Sequence, residues 1–199
     1  MDQIKSMTWK KDIEKTLIDR IDTCKKCDLY KTRTKAVPGA GCLDAEVMFV
    51  GEGPGKNEDL TGEPFVGQAG KILDKLLESI GLSREQIFIG NTVKCRPPGN
   101  RTPSTSEMEA CKPYLVSQIE LIQPKVIVVL GSAALASLFG SGKSISRARG
   151  KSMIVNGICY FPTYHPAAAL YRRTTLELIM EDFSKLKEIV RNRKRKNEN

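Results

Sequence analysis

The sequence predicts an α/β domain, with a mostly parallel sheet covered by helices on both faces. Two observations predict it. Apolar runs of strand length recur along the chain (VMFV at 47–50, IFIG at 87–90, VIVVL at 126–130), too apolar to leave either face in water. Segments with helical spacing of apolar residues separate them, and this alternation is the pattern of a parallel sheet. A chain of 199 residues without an internal repeat or a domain-scale linker suits one compact domain, here placed at 1–190.

Taken in order, residues Thr8 to Asp22 fit an amphipathic helix, with Ile13, Leu17 and Ile21 on one side. The loop TCKKCDLY follows, and AEVMFVGEGPG reads as a buried strand entering a Gly/Pro turn. GQAGKILDKLLESIGL is a helix with Ile72, Leu73, Leu76, Leu77 and Ile80 on one face and Gly81 as its stop. IFIGNTVK is a second buried strand, and RPPGNRTP is a loop rich in breakers. Ser104 with Glu107 forms a capping box that opens a helix through about Ile122. KVIVVLG is a third strand and SAALASLFG a short helix. Asn156-Gly157 between SMIV and ICYF reads as a type I′ hairpin, whose second arm leads into TYHP. TTLELIMEDFSKLKEIV closes the domain, and RNRKRKNEN, residues 191–199, reads as a basic, disordered tail.

Composition narrows the function. Hydrophobic residues make up 40% and charged residues 28%, ordinary values for a soluble protein. The start lacks an apolar signal segment, and the longest apolar run, VIVVLGSAALASLFG, is too short to span a bilayer. The sequence therefore predicts a cytoplasmic protein with no membrane partner. The formal net charge of +9 favours a polyanionic partner, nucleic acid being the commonest.

Six cysteines in a reducing compartment point to metal binding or buried thiols. Cys24 and Cys27 form C-x-x-C, whose short chelate loop lets both sulfurs face one way. Cys95 and Cys111 flank the RPPGNRTP loop. Four such thiolates suit either a structural Zn²⁺ or a [4Fe–4S] cluster, and their chemistry does not separate the two. Cys42 and Cys159 lack partners at ligand spacing.

Ligands of open parallel sheets bind beyond the carboxyl ends of the strands. That rule selects the loops GEGPGKNED, the segment from Asn91 onward, GSA and YHPAAA, the last carrying His165, the single histidine of the chain. The first loop resembles no phosphate-binding pattern and carries Glu52, Glu58 and Asp59, which would repel a phosphate and suit water activation or a developing cation. Phe65, among turn residues, is either a plug under the loop or a platform for a planar ligand.

GEGPGKNEDLTGEPFVGQAGK, then NTVKCRPPGNRTP, then TYHPAAAL, with the four cysteines at these places, resemble the family 4 uracil-DNA glycosylases, the iron–sulfur class. The resemblance runs from about Cys24 to the final helix. It implies a three-layer α/β/α sandwich around a four-stranded parallel sheet, a [4Fe–4S] cluster on Cys24, Cys27, Cys95 and Cys111, and a monomer. The implied activity is DNA repair: uracil is flipped out of single- or double-stranded DNA and its N-glycosidic bond hydrolysed. Phe65 would stack on the base, Asn91 would read its edge, and the backbone of Gly51, Glu52 and Gly53 would line the pocket. His165 would donate to uracil O2, where charge develops. Position 53 is a glycine, so the carboxylate that positions water must come from Glu52 or Glu58. Glu58 is the first choice, for the water or for excluding thymine's methyl group, with Glu52 as its companion. Leu170 would be a minor-groove wedge, with Tyr171, Arg172 and Arg173 near the backbone. Arg96 and Arg101 would meet phosphates.

The resemblance also raises a sliding clamp as a partner, although neither end carries a convincing Q-x-x-hydrophobic-x-x-aromatic box. The alternative reading is a metal-stapled nucleic-acid-binding protein without glycosylase activity. It explains the charge and the cysteines but leaves Glu58, Asn91 and His165 without a task.

Overall fold

A computed structural model describes residues 2–195, with side chains described from residue 8 to residue 193. Six strands form one sheet: β1 (Ala40–Gly41), β2 (Val47–Gly51), β3 (Ile87–Asn91), β4 (Val126–Leu130), β5 (Met153–Val155) and β6 (Ile158–Thr163). Their spatial order is β1-β3-β2-β4-β6-β5. The central four, β3-β2-β4-β6, are parallel and make the expected four-stranded sheet. Two antiparallel edge strands extend the sheet to six. β5 is the first arm of the Asn156-Gly157 hairpin, and both turn residues have the positive φ that a type I′ turn requires. β1 is only two residues long, too short for any period to register.

Among the described residues, seven α-helices accompany the sheet: α1 (Asp2–Asp22), α2 (Lys56–Thr61), α3 (Gln68–Ser79), α4 (Thr105–Ile122), α5 (Gly131–Phe139), α6 (Ile145–Ala148) and α7 (Arg173–Arg195). Alternate residues of the central strands face opposite ways, and each set has its own helical cover. Val47, Phe49, Ile87, Ile89, Val126 and Val128 pack with Leu73 and Leu77 of α3 and Ile179, Phe183 and Leu186 of α7. Met48, Val50, Phe88, Ile127 and Val129 pack with Leu115 and Ile122 of α4 and Ala134 and Leu135 of α5. The result is the three-layer sandwich. A third apolar cluster joins Leu17 and Ile21 of α1 to Met108 and Tyr114 of α4; it includes Cys95 and Cys111, with Cys24 and Cys27 packed against it.

The local signals hold. Ser104 Oγ accepts from the N–H of Glu107 at 3.2 Å, and Glu107 Oε2 accepts from the N–H of Ser104 at 2.7 Å. The helix so capped ends at Ile122, with Gln123 left-handed. α3 ends at Ser79, and the positive φ of Gly81 just beyond it lets the N–H of Leu82 reach the carbonyl of Leu77 at 3.0 Å. α7 continues to Arg195, into the stretch assigned to the basic tail; residues 196–199 lie outside the described residues. Among the described residues, no helix is long and apolar enough to cross a membrane.

The topology opens a crevice. β2 leads to β3 through α2 and α3, while β4 leads to β6 through α5 on the opposite face. Loops that leave neighbouring strands for opposite faces part at the carboxyl edge, where a ligand fits.

Candidate functional site

A cleft of about 410 Å³ lies at that edge. It is lined by Glu52, Gly53 and Glu58 from the loop after β2, by Phe65, by Asn91 at the end of β3, and by His165 after β6. Arg101 and Tyr171 stand among its further lining residues. The fold thus gathers Glu52, Gly53, Glu58, Phe65, Asn91 and His165, which the sequence spreads over more than a hundred positions.

Asn91 is the terminal residue of β3 and only 2% exposed. Its Oδ1 is buried and has no hydrogen-bond partner, alone in this among the described buried side-chain oxygens and nitrogens. Such an orphan costs free energy unless a donor arrives from outside. Gly51 makes room for it. A Cβ there would stand 2.5 Å from Asn91 Oδ1 and 2.8 Å from the Phe65 ring, so no side chain is tolerated at that strand end.

His165 follows β6 and opens the 3-10 turn Pro166–Leu170. Its Nδ1 accepts from the N–H of Ala167 at 3.1 Å. The neutral ring must then carry its proton on Nε2. Desolvation pushes the imidazole pKa down to about 4, against a smaller upward pull from Glu58. The ring is therefore a neutral donor near pH 7. Phe65 stacks against it, with centroids 5.4 Å apart and planes inclined by 25°.

The two candidate carboxylates differ sharply. Glu58 Oε1 accepts from the N–H groups of Val66 and Gly67 at 2.9 and 2.8 Å, and Oε2 accepts from the N–H of Gly55 at 3.1 Å. It fastens the loop after β2 to the loop that carries Phe65. Glu52 makes no comparable set of backbone contacts. Burial pushes its pKa up, with a hydrogen bond from Thr102 pulling the other way. Asp59, the third acid, accepts from the N–H of Thr34 at 2.8 Å and belongs to the framework.

The outer residues also divide. Arg101 is held by Glu107 through two bonds of 2.8 and 2.7 Å. That guanidinium is the main cause of Glu107's low pKa, about 2. Arg96 donates to Asn100 Oδ1 at 2.7 Å within the same loop. Leu170 is 45% exposed, and Tyr171, 86% exposed, lines the cleft. Arg172 is exposed too, and Arg173 reaches Glu177 at 3.5 Å across an exposed helical turn.

Cys24, Cys27, Cys95 and Cys111 line one small cavity between α1, the end of the β3 segment and α4. Cys95 Sγ accepts from Arg33 Nη1 at 3.0 Å, and Cys111 Sγ accepts from the N–H of Lys94 at 3.3 Å. Desolvation raises the pKa of Cys27 and Cys95 and pushes Cys111 up to about 11. Among the described residues, no group of three or more His, Cys, Asp or Glu side chains is arranged to hold a metal ion. Cys42 and Cys159 stand apart from this cavity.

Sequence reasoning missed Lys94, which is 1% exposed. Its Nζ donates to the carbonyl of Asn91 at 2.9 Å and to Gln118 Oε1 at 2.5 Å, and Gln118 in turn donates to the carbonyl of Pro38. This chain ties the end of β3 to α4. The only sequence signal was a lysine inside an apolar strand segment.

A family model described as the uracil DNA glycosylase superfamily matches residues 38–191. The chain is 50% identical over 181 residues to the type-4 uracil-DNA glycosylase of Saccharolobus solfataricus, covering 86% of this chain and 84% of that one. It is 48% identical over 181 residues to the type-4 uracil-DNA glycosylase of Archaeoglobus fulgidus, covering 87% and 91%. Against that of Thermotoga maritima it is 43% identical over 190 residues, covering 93% and 98%.

Proposed function

The chain belongs to the uracil-DNA glycosylase superfamily, and from that membership we propose that its cleft takes a uracil flipped out of DNA and releases it by hydrolysis, leaving an abasic sugar. The observation that carries this reading is the orphaned Oδ1 of Asn91 at the floor of the cleft. Uracil N3–H is the donor it lacks, while the Asn91 amide N–H group donates to uracil O4. Cytosine presents the reverse pattern and would leave Oδ1 unpaired, so the same buried atom that costs the free enzyme rejects the normal base.

As the glycosidic bond breaks, the base departs as a uracil anion. His165 donates from Nε2 to uracil O2 and stabilises that charge. A neutral, pre-oriented donor does this without a proton being moved first. Phe65 supplies the stacking face. The water-positioning role goes to Glu52, which lines the cleft and keeps its carboxylate out of the backbone scaffold. Glu58 spends both oxygens on three backbone N–H groups and shapes the pocket instead. This reverses the order of the two carboxylates expected from the sequence. An ionised Glu52 also favours the oxocarbenium-like sugar electrostatically.

Tyr171 lines the cleft and Leu170, next to it in the chain, is exposed; these two would fill the gap left by the flipped base, and Arg172 and Arg173 would meet phosphates. Arg96 and Arg101 organise their own loop and contribute less free charge.

By the chemistry of the donor set, though not by side chains already grouped around a metal, the four cysteines suit a [4Fe–4S] cluster. They line one cavity, two sulfurs already accept N–H groups, and burial makes the thiolates of Cys27, Cys95 and Cys111 costly unless a positively charged group compensates. The cluster, when bound, supplies a rigid cross-link between α1, the end of β3 and α4, which hydrolysis needs for support of the loop at 96–103 rather than for electron transfer.

The test is a uracil-containing oligonucleotide, incubated with the protein and then with hot alkali. Strand scission at the uracil, and none at a cytosine in its place, is the expected result. An intact strand refutes the proposal.

A further inference from the structure

We infer that Arg84 is a positioning residue for the base-stacking Phe65, and that Asp74 holds Arg84 to that task. The inference rests on the reading of Phe65 given above.

Phe65 has φ +55°, in the left-handed region that side chains with a Cβ avoid. It sits in a turn, so no sheet or helix ladder enforces that conformation. Three things do. On the amide side, Glu58 binds the N–H groups of Val66 and Gly67. On the carbonyl side, Arg84 Nη1 donates to the carbonyl of Pro64 at 3.2 Å and Nη2 to the carbonyl of Phe65 at 2.5 Å. Behind the turn, Gly70 lets the chain come so close that a Cβ there would stand 1.7 Å from Phe65 O.

Arg84 does not line the cleft. It lies 19 residues from Phe65, in the short 3-10 turn Arg84–Gln86 before β3. Its Nε donates to Asp74 Oδ1 on α3 at 2.6 Å. The three groups of one planar guanidinium thus have three separate acceptors. That geometry belongs to arginine: a lysine ammonium on a flexible stem could not hold both carbonyls and the carboxylate in one plane. With both carbonyls gripped from one side and both amides from the other, the peptide cannot relax out of the left-handed region. The Phe65 ring is then set before any base arrives, and ring placement is worth much to the rate, since about 1 Å of misplacement can cost about 10²-fold.

The experiment is a double-mutant cycle read by single-turnover uracil excision, with binding of uracil-free DNA as a control. Arg84→Met should slow excision by about tenfold or more, with uracil-free DNA bound as before. Arg84→Lys should recover only part of the loss, and Asp74→Asn should show a smaller loss in the same direction. In a Phe65→Ala background, Arg84→Met should change the rate less than about twofold, because the ring it positions is gone. Multiplying losses in the double mutant, or an equal loss of binding to uracil-free DNA, would overturn the inference. If Phe65→Ala alone leaves excision unchanged, the stacking role falls and the inference with it. If Phe65→Ala is slow but the losses multiply, only the role of Arg84 falls. Asp74→Asn, a change at a half-exposed side chain, keeps the cycle decisive should Arg84→Met fail to fold.

Discussion

The N–H of Ala167 donates to His165 Nδ1 across 3.1 Å, so the backbone of the turn after β6 dictates which nitrogen of the imidazole holds the proton. Protonating the ring would put two donors face to face. Desolvation takes the pKa from 6.5 down to about 4, against a smaller upward pull from Glu58. Above pH 6.5 the ring is neutral in both the folded and the unfolded chain. Between 6.5 and about 4 the unfolded chain takes up a proton that the folded chain refuses, so stability declines as pH falls through that window. Because the chain has one histidine, the imidazole signals in a proton NMR titration report this group alone. They should stay in the neutral position down to about pH 5; a midpoint near 6.5 would contradict the tautomer assignment.

Glu52 and Glu58 should separate in kinetics. Glu52→Gln should slow the chemical step by about 10²–10⁴-fold with little change in thermal stability. In the wild type the rate should fall as pH drops through the raised pKa of Glu52, since the ionised form positions water, and this acid limb should vanish in the variant.

Glu58→Gln should behave in the opposite way. Its amide keeps one oxygen for Val66 and Gly67 but turns an N–H group toward the N–H of Gly55. A buried unsatisfied donor costs roughly 1–3 kcal/mol, visible as a lower urea midpoint at unchanged slope. Unchanged stability with a lost water-dependent step would restore Glu58 to the catalytic role.

Duplex affinity measured against salt should distinguish free arginines from engaged ones. Arg172→Gln should reduce the logarithmic salt slope by about 0.9 if it meets one phosphate, and Arg173→Gln by less, because Glu177 lies 3.5 Å from that guanidinium. Arg101→Gln should barely change it, because Glu107 already takes that guanidinium. It should instead move acid unfolding to higher pH. Ionised Glu107 stabilises the fold fully above 4.5, and that contribution is lost as pH falls toward about 2 only while Arg101 is present.

Protein purified without oxygen should be yellow-brown, with absorption near ~400 nm. Cys111→Ser should lose the colour and become sensitive to proteolysis in the loop at 96–103. A colourless wild type containing stoichiometric zinc would replace the cluster by a single metal.

The local grammar of this chain was legible without coordinates, because it depends on neighbours in sequence. Ser104 meets Glu107 one helical turn away, Asn156-Gly157 makes its own turn, and Gly81 stops α3 where its apolar stripe ends. The apolar runs 47–50, 87–90 and 126–130 demanded burial on both faces, and a parallel sheet between helices is what satisfies them. The structure brings the strand-end residues Asn91 and His165 together with Phe65 in one cleft.

What the sequence by itself determined is thus the layered α/β architecture and the set of residues delivered to one sheet edge. Only the tertiary structure decided their division of labour. Glu52 and Glu58 look alike in GEGPGKNED, and they diverge because the backbone N–H groups of Val66 and Gly67 fold back onto one and not the other. Sequence reasoning singled out neither Arg84 nor Lys94, whose tasks emerge only where distant carbonyls close around them. The physical reason is range: apolar periodicity and capping act within a turn or two of chain, whereas a polar group's task is set by whichever partners the fold brings within hydrogen-bond reach.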